Sequence, residues 1–502
     1  MKCSALLSLS LTTLCSAASF PVRKVRFTET ELDSIRSGPS ILAANNAIIK
    51  TIKSRDIWLM FKLGETVHFT LVVDTGSSDL WFAPRPNFNQ TLGNFKLFQD
   101  LFVNLTYGAG SAAGYVAQAD NIGFAGMTVN NQTFLYVTKQ DEVFNQTEAQ
   151  DPLFQGIVGF GFDTISQINV AVLNATKQTW GRTLMSNVFL AEPNTPNHLA
   201  IFLDRLGYLN DTGTGTFDIG TYAPGYEAVA NQPKIAVFSG LPDTVFQWNV
   251  LVTGLLVNGQ PQKLETQVIA NSSTGLTVKP PAGTISALLD TGSTLADLPP
   301  AAWKMLYESM GGVLVKNTTL TQGAEQYAVP CMAEAQLEVT IANQTIPIHP
   351  MDLTNVSIVT FSDGRNLTAC LSYFDPASYY GADNDLVLGD AFLRNVYAVY
   401  NYGNYNYTES GLSHDTPFIQ LLPLTNTSVA ISEFKDARAQ ALKFFPPEVN
   451  VSTINDPVPQ ALSQSSAGSG SSNDATILGC PLQGSLLFVS ASISIYLGAF
   501  YL

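Results

Sequence analysis

Asp74-Thr75-Gly76-Ser77-Ser78 recurs as Asp290-Thr291-Gly292-Ser293-Thr294, 216 residues downstream. A lone Asp-Thr-Gly triplet arises by chance in a chain of this length. Both copies here follow apolar runs, Leu71-Val72-Val73 and Ala287-Leu288-Leu289. Each reads as a buried strand that ends in a carboxylate and a tight glycine turn. Two such halves facing each other bring two carboxylates to one place. Held that close, they share a proton and supply an acid and a base from one residue type. In this reading Gly76 and Gly292 let backbone N–H groups approach the carboxylates. The Ser77 and Ser293 hydroxyls donate to their outer oxygens, and Thr75 and Thr291 tie the two loops together. A water between Asp74 and Asp290 would lose a proton to one carboxylate and attack a carbonyl carbon. The other carboxyl would protonate the developing oxyanion.

The elements that must position these loops are strands. From Ile57 onward, short apolar or alternating runs are separated by Gly, Asn, Pro and Thr, which is strand and turn chemistry. Strands are expected at Val67 to Val73, Phe102 to Tyr107, Tyr115 to Gln118, Phe134 to Thr138, Gln247 to Val257 and Ala335 to Ile341. Helical patterns are few, the clearest being Ile165 to Leu173 and Pro300 to Met310, the second entered through Pro299-Pro300. Later in each half an apolar pair precedes a glycine, in Gly156-Ile157-Val158-Gly159 and in Val387-Leu388-Gly389-Asp390. Such a glycine marks close backbone approach, and its recurrence points to an internal duplication. Leu105-Thr106-Tyr107-Gly108-Ala109-Gly110-Ser111 reads as a hairpin tip, with Tyr107 and Gly108 placed to close over a substrate.

Composition narrows the partners. The 502-residue chain is 46% hydrophobic and 13% charged, as globular proteins are. Residues 1–55 hold eight Lys/Arg and three Asp/Glu, so the remainder carries 17 basic against 37 acidic residues. That acidic body argues against nucleic acid as a partner and suits work at low pH. Histidine is scarce and no CxxC or HxxxH spacing occurs, so neither a metal nor a cofactor is expected.

Both ends read as addresses. Met1-Lys2, the apolar stretch Ala5 to Leu14 and the small residues near Ala18 form a secretory signal over 1–18. A basic segment, 19–55, would be removable and pair with the acidic body. Lobes follow at 56–235 and 236–445, then a Ser/Pro/Gly-rich stalk at 446–484 and an apolar tail at 485–502. Small residues, spacer and uncharged tail form a glycolipid-anchor (GPI) signal, with Asn473 as attachment residue. Cys331 and Cys370 are the cysteines left after processing, and in an oxidising compartment they most simply pair. Asn-x-Ser/Thr occurs fourteen times, Asn104 among them, which suits a glycosylated surface.

With these motifs in hand, the chain resembles the pepsin family of aspartic endopeptidases from about Ile57 to about Leu424, and in particular its fungal GPI-anchored cell-surface members. The matching residues are Asp74-Thr-Gly-Ser-Ser-Asp-Leu-Trp81, Tyr107-Gly108, Asp290-Thr-Gly-Ser-Thr and Val387-Leu-Gly-Asp-Ala-Phe-Leu-Arg394. The resemblance implies a mainly β, bilobal fold: two pseudo-symmetric lobes, a few short helices and a cleft that takes an extended peptide. It implies Asp74 and Asp290 as the catalytic pair, Tyr107 as a flap tyrosine supported by Trp81, a Cys331–Cys370 disulfide and a monomeric enzyme. An inactive peptide-binding relative is the alternative. The sequence departs from the family at Gly64-Glu65-Thr66, where a Gly-Thr-Pro turn is common, and at Ala109, where many members carry a polar side chain.

Overall fold

The computed structural model describes residues 18–21, 50–52, 56–63, 67–83, 95–108, 110–125, 127–145, 154–205, 215–241, 245–269, 278–316, 325–361, 363–377, 384–408, 411–456 and 459–462. The signal segment through residue 17, most of the basic segment, Ala109, Asn473 and the apolar tail lie outside these residues.

Each Asp-Thr-Gly loop is held by the same strand arrangement. In the first half Val67–Asp74 runs parallel to Gly156–Gly159, with Asp74 opposite Gly159. Leu80–Phe82 returns antiparallel along the other side of Gly156–Gly159 and pairs in parallel with Gln132–Gln140. In the second half Ile285–Leu289 runs parallel to Leu386–Leu388, with Leu289 opposite Leu388. Ala296–Leu298 then pairs antiparallel with Leu386–Leu388 and parallel with Phe374–Pro376. The apolar-apolar-glycine motifs therefore lie beside the loops they support. A Cβ on Gly159 would lie 2.4 Å from Ser78 backbone atoms, and one on Gly389 would lie 2.0 Å from the Leu295 carbonyl. Only glycine lets these backbones approach.

A third sheet joins the halves. Its order is Ala18–Pro21, Thr216–Ile219, His198–Phe202, Val396–Asn401, Phe418–Pro423 and Ile235–Ala236. The crossover between halves is the antiparallel pairing of His198–Phe202 with Val396–Asn401. Below the first loop, Trp248 Nε1 and the Tyr402 hydroxyl, both from the second half, donate to the Phe160 carbonyl at 2.9 and 2.6 Å. The molecule is thus mainly β and bilobal, as expected.

The two clearest helical patterns form helices Gln167–Thr176 and Pro300–Ser309, and Leu184–Ala191 and Thr427–Leu442 are helical as well. The last buries Ala430, Phe434, Arg438 and Ala441, a face that an arginine interrupts. One expectation is corrected: the chain does not leave the second lobe at 446. Thr368 bridges to Glu448 and Val449 to Ala461, while Val449 and Ile454 fill a core with Val359, Phe361 and Leu367. Glu448 accepts from the Cys331 N–H at 2.8 Å. Cys331 is disulfide-bonded to Cys370, and Arg438 Nη1 donates to Cys370 Sγ at 3.3 Å. Apolar residues spaced among Pro and Asn, which read as a stalk, are the lobe's final cover.

Ending the chain after Phe445 strips two buried side chains from this core. Denaturant unfolding of that truncated protein is expected to show a loss of about 3 kcal/mol or more, since burying one aliphatic side chain is worth about 1.5–3 kcal/mol. Unchanged stability would return residues 446–462 to the stalk.

Candidate active site

The two loops clasp each other through their threonines. Thr75 Oγ1 donates to the Leu289 carbonyl at 2.8 Å and accepts from the Thr291 N–H at 3.0 Å. Thr291 Oγ1 donates to the Val73 carbonyl at 2.9 Å and accepts from the Thr75 N–H at 3.1 Å. Each hydroxyl satisfies two backbone groups of the other lobe, and both threonines are buried.

This clasp sets Asp74 against Asp290. The Gly76 N–H donates to Asp74 Oδ1 at 2.8 Å and to Asp290 Oδ1 at 3.1 Å. Asp74 also accepts from the Ser77 N–H at 3.1 Å and from the Ser77 hydroxyl at 2.5 Å. Asp290 accepts from the Gly292 N–H at 2.7 Å. The glycines are steric necessities: a Cβ on Gly76 would sit 2.6 Å from the Asp290 carboxyl, and one on Gly292 would sit 2.5 Å from Asp74 Oδ1.

The loops are not equivalent. Ser293 was expected to donate to Asp290, but its hydroxyl donates to the Leu295 carbonyl at 3.1 Å. Asp74 thus has donors on both oxygens, whereas the donors to Asp290 converge on Oδ1. Burial raises both carboxyls above the usual range, and the Ser77 hydroxyl and loop N–H groups pull Asp74 back. Asp290 is raised well above that range, by burial first and then by the Asp74 charge beside it. The arrangement favours Asp74 as carboxylate and Asp290 as the acid.

Tyr107 follows the first strand of the hairpin formed by Phe95–Thr106 and Ser111–Ala119, near enough to the first loop to feel the Asp79 and Asp74 charges. The hairpin tip closes with the Tyr107 N–H donating to the Gly110 carbonyl at 2.8 Å. The Tyr107 hydroxyl accepts from Trp81 Nε1 at 2.8 Å, and its ring packs edge-on against Phe144.

Several contributors escaped the sequence reading. Asp79 accepts from the Ser166 hydroxyl at 2.6 Å and from the Gln167 and Ile168 N–H groups, so it anchors the Gln167–Thr176 helix to the first loop. Burial pushes its carboxyl up to about 6. Gln247 Nε2 donates to the Gly76 carbonyl at 3.1 Å across the lobes. Asp375 lies opposite Asp297 in the second lobe, and burial beside that carboxylate raises it well above the usual range. Asp79 is inside the motif that carried the resemblance; the others depend on pairings distant in sequence.

The Eukaryotic aspartyl protease family model matches residues 62–409. The chain belongs to the eukaryotic aspartyl protease family. An aspartic protease of Phaffia rhodozyma is 25% identical over 349 residues, 67% of this chain and 71% of that protein. Cathepsin E of Cavia porcellus is 25% identical over 358 residues, covering 67% and 76%. An aspartic proteinase from Irpex lacteus has the same fold, with a TM-score of 0.52 at 17% identity, over 75% of this chain and 97% of that one. As a member of this family the chain is an aspartic-type endopeptidase that acts on peptides or proteins.

Four buried carboxyls, Asp74, Asp79, Asp290 and Asp375, titrate above 3.8 in the folded state. At these four groups the native state holds more protons than the unfolded chain, so the stability they contribute is fully present in acid and is lost as pH rises. For Asp79 that window runs from 3.8 to about 6. Melting temperature is expected to fall across this range, and Asp79→Asn to flatten the fall. Stability that rises between pH 4 and 6 would contradict the account.

Proposed function

We propose that Asp74 and Asp290 carry out the hydrolysis, at acid pH, on an extended peptide held under Tyr107 and Gly108. The observation that carries this reading is the single Gly76 N–H shared between the two carboxyls, which holds their inner oxygens within reach of one water. Asp74 takes the water's proton as the oxygen attacks the scissile carbonyl. Asp290 gives its proton to the carbonyl oxygen, and a tetrahedral intermediate forms. Asp74 then passes the proton to the leaving nitrogen, the C–N bond breaks, and the diol's proton restores Asp290. Above the titration of Asp290 both carboxyls are charged and no acid remains. That is the physical ground for an acid enzyme. Trp81 holds the Tyr107 hydroxyl, so the flap closes on a supported ring.

In the same proposal the enzyme enters the secretory pathway through residues 1–18, carries a removable basic segment and acts as a monomer. It is held at the cell surface by a glycolipid on Asn473. The support is the sequence itself: the leader, the charge asymmetry and the small-residue, spacer and apolar-tail order.

An acid assay on a denatured protein tests the chemistry. Asp74→Asn and Asp290→Asn are each expected to lower kcat by at least about 10³-fold, and a pepstatin-type inhibitor is expected to block the wild type. Activity that survives Asp290→Asn would overturn the pairing. Phosphatidylinositol-specific phospholipase is expected to release the enzyme from intact cells; retention of full activity on the treated cells would count against the anchor.

A further inference from the structure

Among the described residues, strand Phe95–Thr106 stands at one end of the strand order of the first lobe's ten-stranded sheet. Its last residues alternate strictly: Phe102, Asn104 and Thr106 are exposed, while Val103 and Leu105 are buried. An aromatic ring, a sequon asparagine and the sequon hydroxyl thus stand in one row on the solvent face. Residues two apart on a strand are separated by about 7 Å, the span of one sugar ring linked to the asparagine. Phe102 is 56% exposed. Its ring meets its cross-strand partner Tyr115 edge-on, at 5.2 Å and 79°. That contact fixes the ring while leaving most of it open. Opposite Asn104 stands Ala113, whose methyl group is too small to cover the amide.

We propose that Asn104 is N-glycosylated and that the innermost N-acetylglucosamine stacks on Phe102. The electron-rich ring face attracts the polarised C–H groups of a sugar, and the contact removes exposed aromatic surface from water. The inference rests on the secretory reading above. Asn104 Nδ2 attacks the anomeric carbon of a lipid pyrophosphate-linked oligosaccharide. The C–O bond to pyrophosphate breaks, the C–N bond forms, the amide nitrogen loses one proton and lipid pyrophosphate departs. Two of the fourteen sequons have an aromatic residue two positions earlier, Asn104 with Phe102 and Asn210 with Tyr208, and Asn210 lies outside the described residues.

The placement has two consequences. Val103 and Leu105 pack into the cluster that holds Trp81 and Tyr107, so a glycan on the opposite side of the strand projects away from the flap tyrosine. It also sets a bulky polar branch on a strand at the end of that order, and an unguarded edge strand can pair with another chain.

The test uses full-length protein secreted from a eukaryotic host that glycosylates. Release of glycans by peptide N-glycosidase in heavy-oxygen water converts each occupied asparagine to a labelled aspartate, read by peptide mapping. Label at Asn104 is expected. Phe102→Ser is expected to lower the melting temperature by about 2–4 °C more in the glycosylated protein than in the Asn104→Gln background, where only the Tyr115 contact is lost. Label at other sequons with none at Asn104 overturns the inference alone; no label anywhere overturns the secretory reading with it. Equal Phe102→Ser shifts in both backgrounds overturn the stacking.

Discussion

The threonine clasp is the constraint on which the rest depends. Each Asp-Thr-Gly loop has a backbone N–H and a strand-end carbonyl that find partners on the opposite loop. A buried backbone group without a partner costs about 1–3 kcal/mol, so neither loop is at rest without the other. The interlobe sheet and the Trp248 and Tyr402 bonds to Phe160 bring the lobes to this distance. The reciprocal threonines then fix the register to within a hydrogen bond. The proximity of the two carboxyls follows from that register, and Gly76 and Gly292 are what allow the carboxyls to occupy it without collision.

Within this symmetric frame the electrostatics are asymmetric. The Ser77 hydroxyl turns toward Asp74 and the Ser293 hydroxyl turns away from Asp290. One serine rotation thereby decides which carboxyl is stabilised as an anion. The surroundings supply the other half of the effect. Burial makes a second charge costly, so the proton that Asp74 gives up stays with Asp290. The same burial acts on Asp79 and Asp375, so these carboxyls too favour the protonated form in the folded lobes.

Legibility in the sequence followed chemical locality. The duplicated carboxylate, its glycines, the close-approach glycines at 159 and 389 and the hairpin-tip tyrosine are encoded in runs of a few residues, and these could be read directly. The orientation of Ser293 could not, because the Leu295 carbonyl that captures it competes with Asp290 only once the loop has folded. The Thr427–Leu442 helix was hidden because Arg438 occupies a core position, where it donates to Cys370 Sγ and to the Thr354 carbonyl. A periodic apolar stripe was therefore missing. Residues 446–462 misled for the converse reason: their composition is that of a stalk, yet a few apolar side chains cover a core assembled from distant strands. Pairings such as Asp297 with Asp375 arise from sheet register, which no local pattern encodes.

The central claim is that the clasp makes two carboxyls hold one proton, and that Asp290 holds it. Neutron diffraction from crystals grown in acidic heavy water reads this directly. The account predicts a single deuteron at the pair, bonded to Asp290 and directed toward Asp74. Two carboxylates without a deuteron between them, or a deuteron on the Asp74 oxygen that faces Ser77, would contradict it.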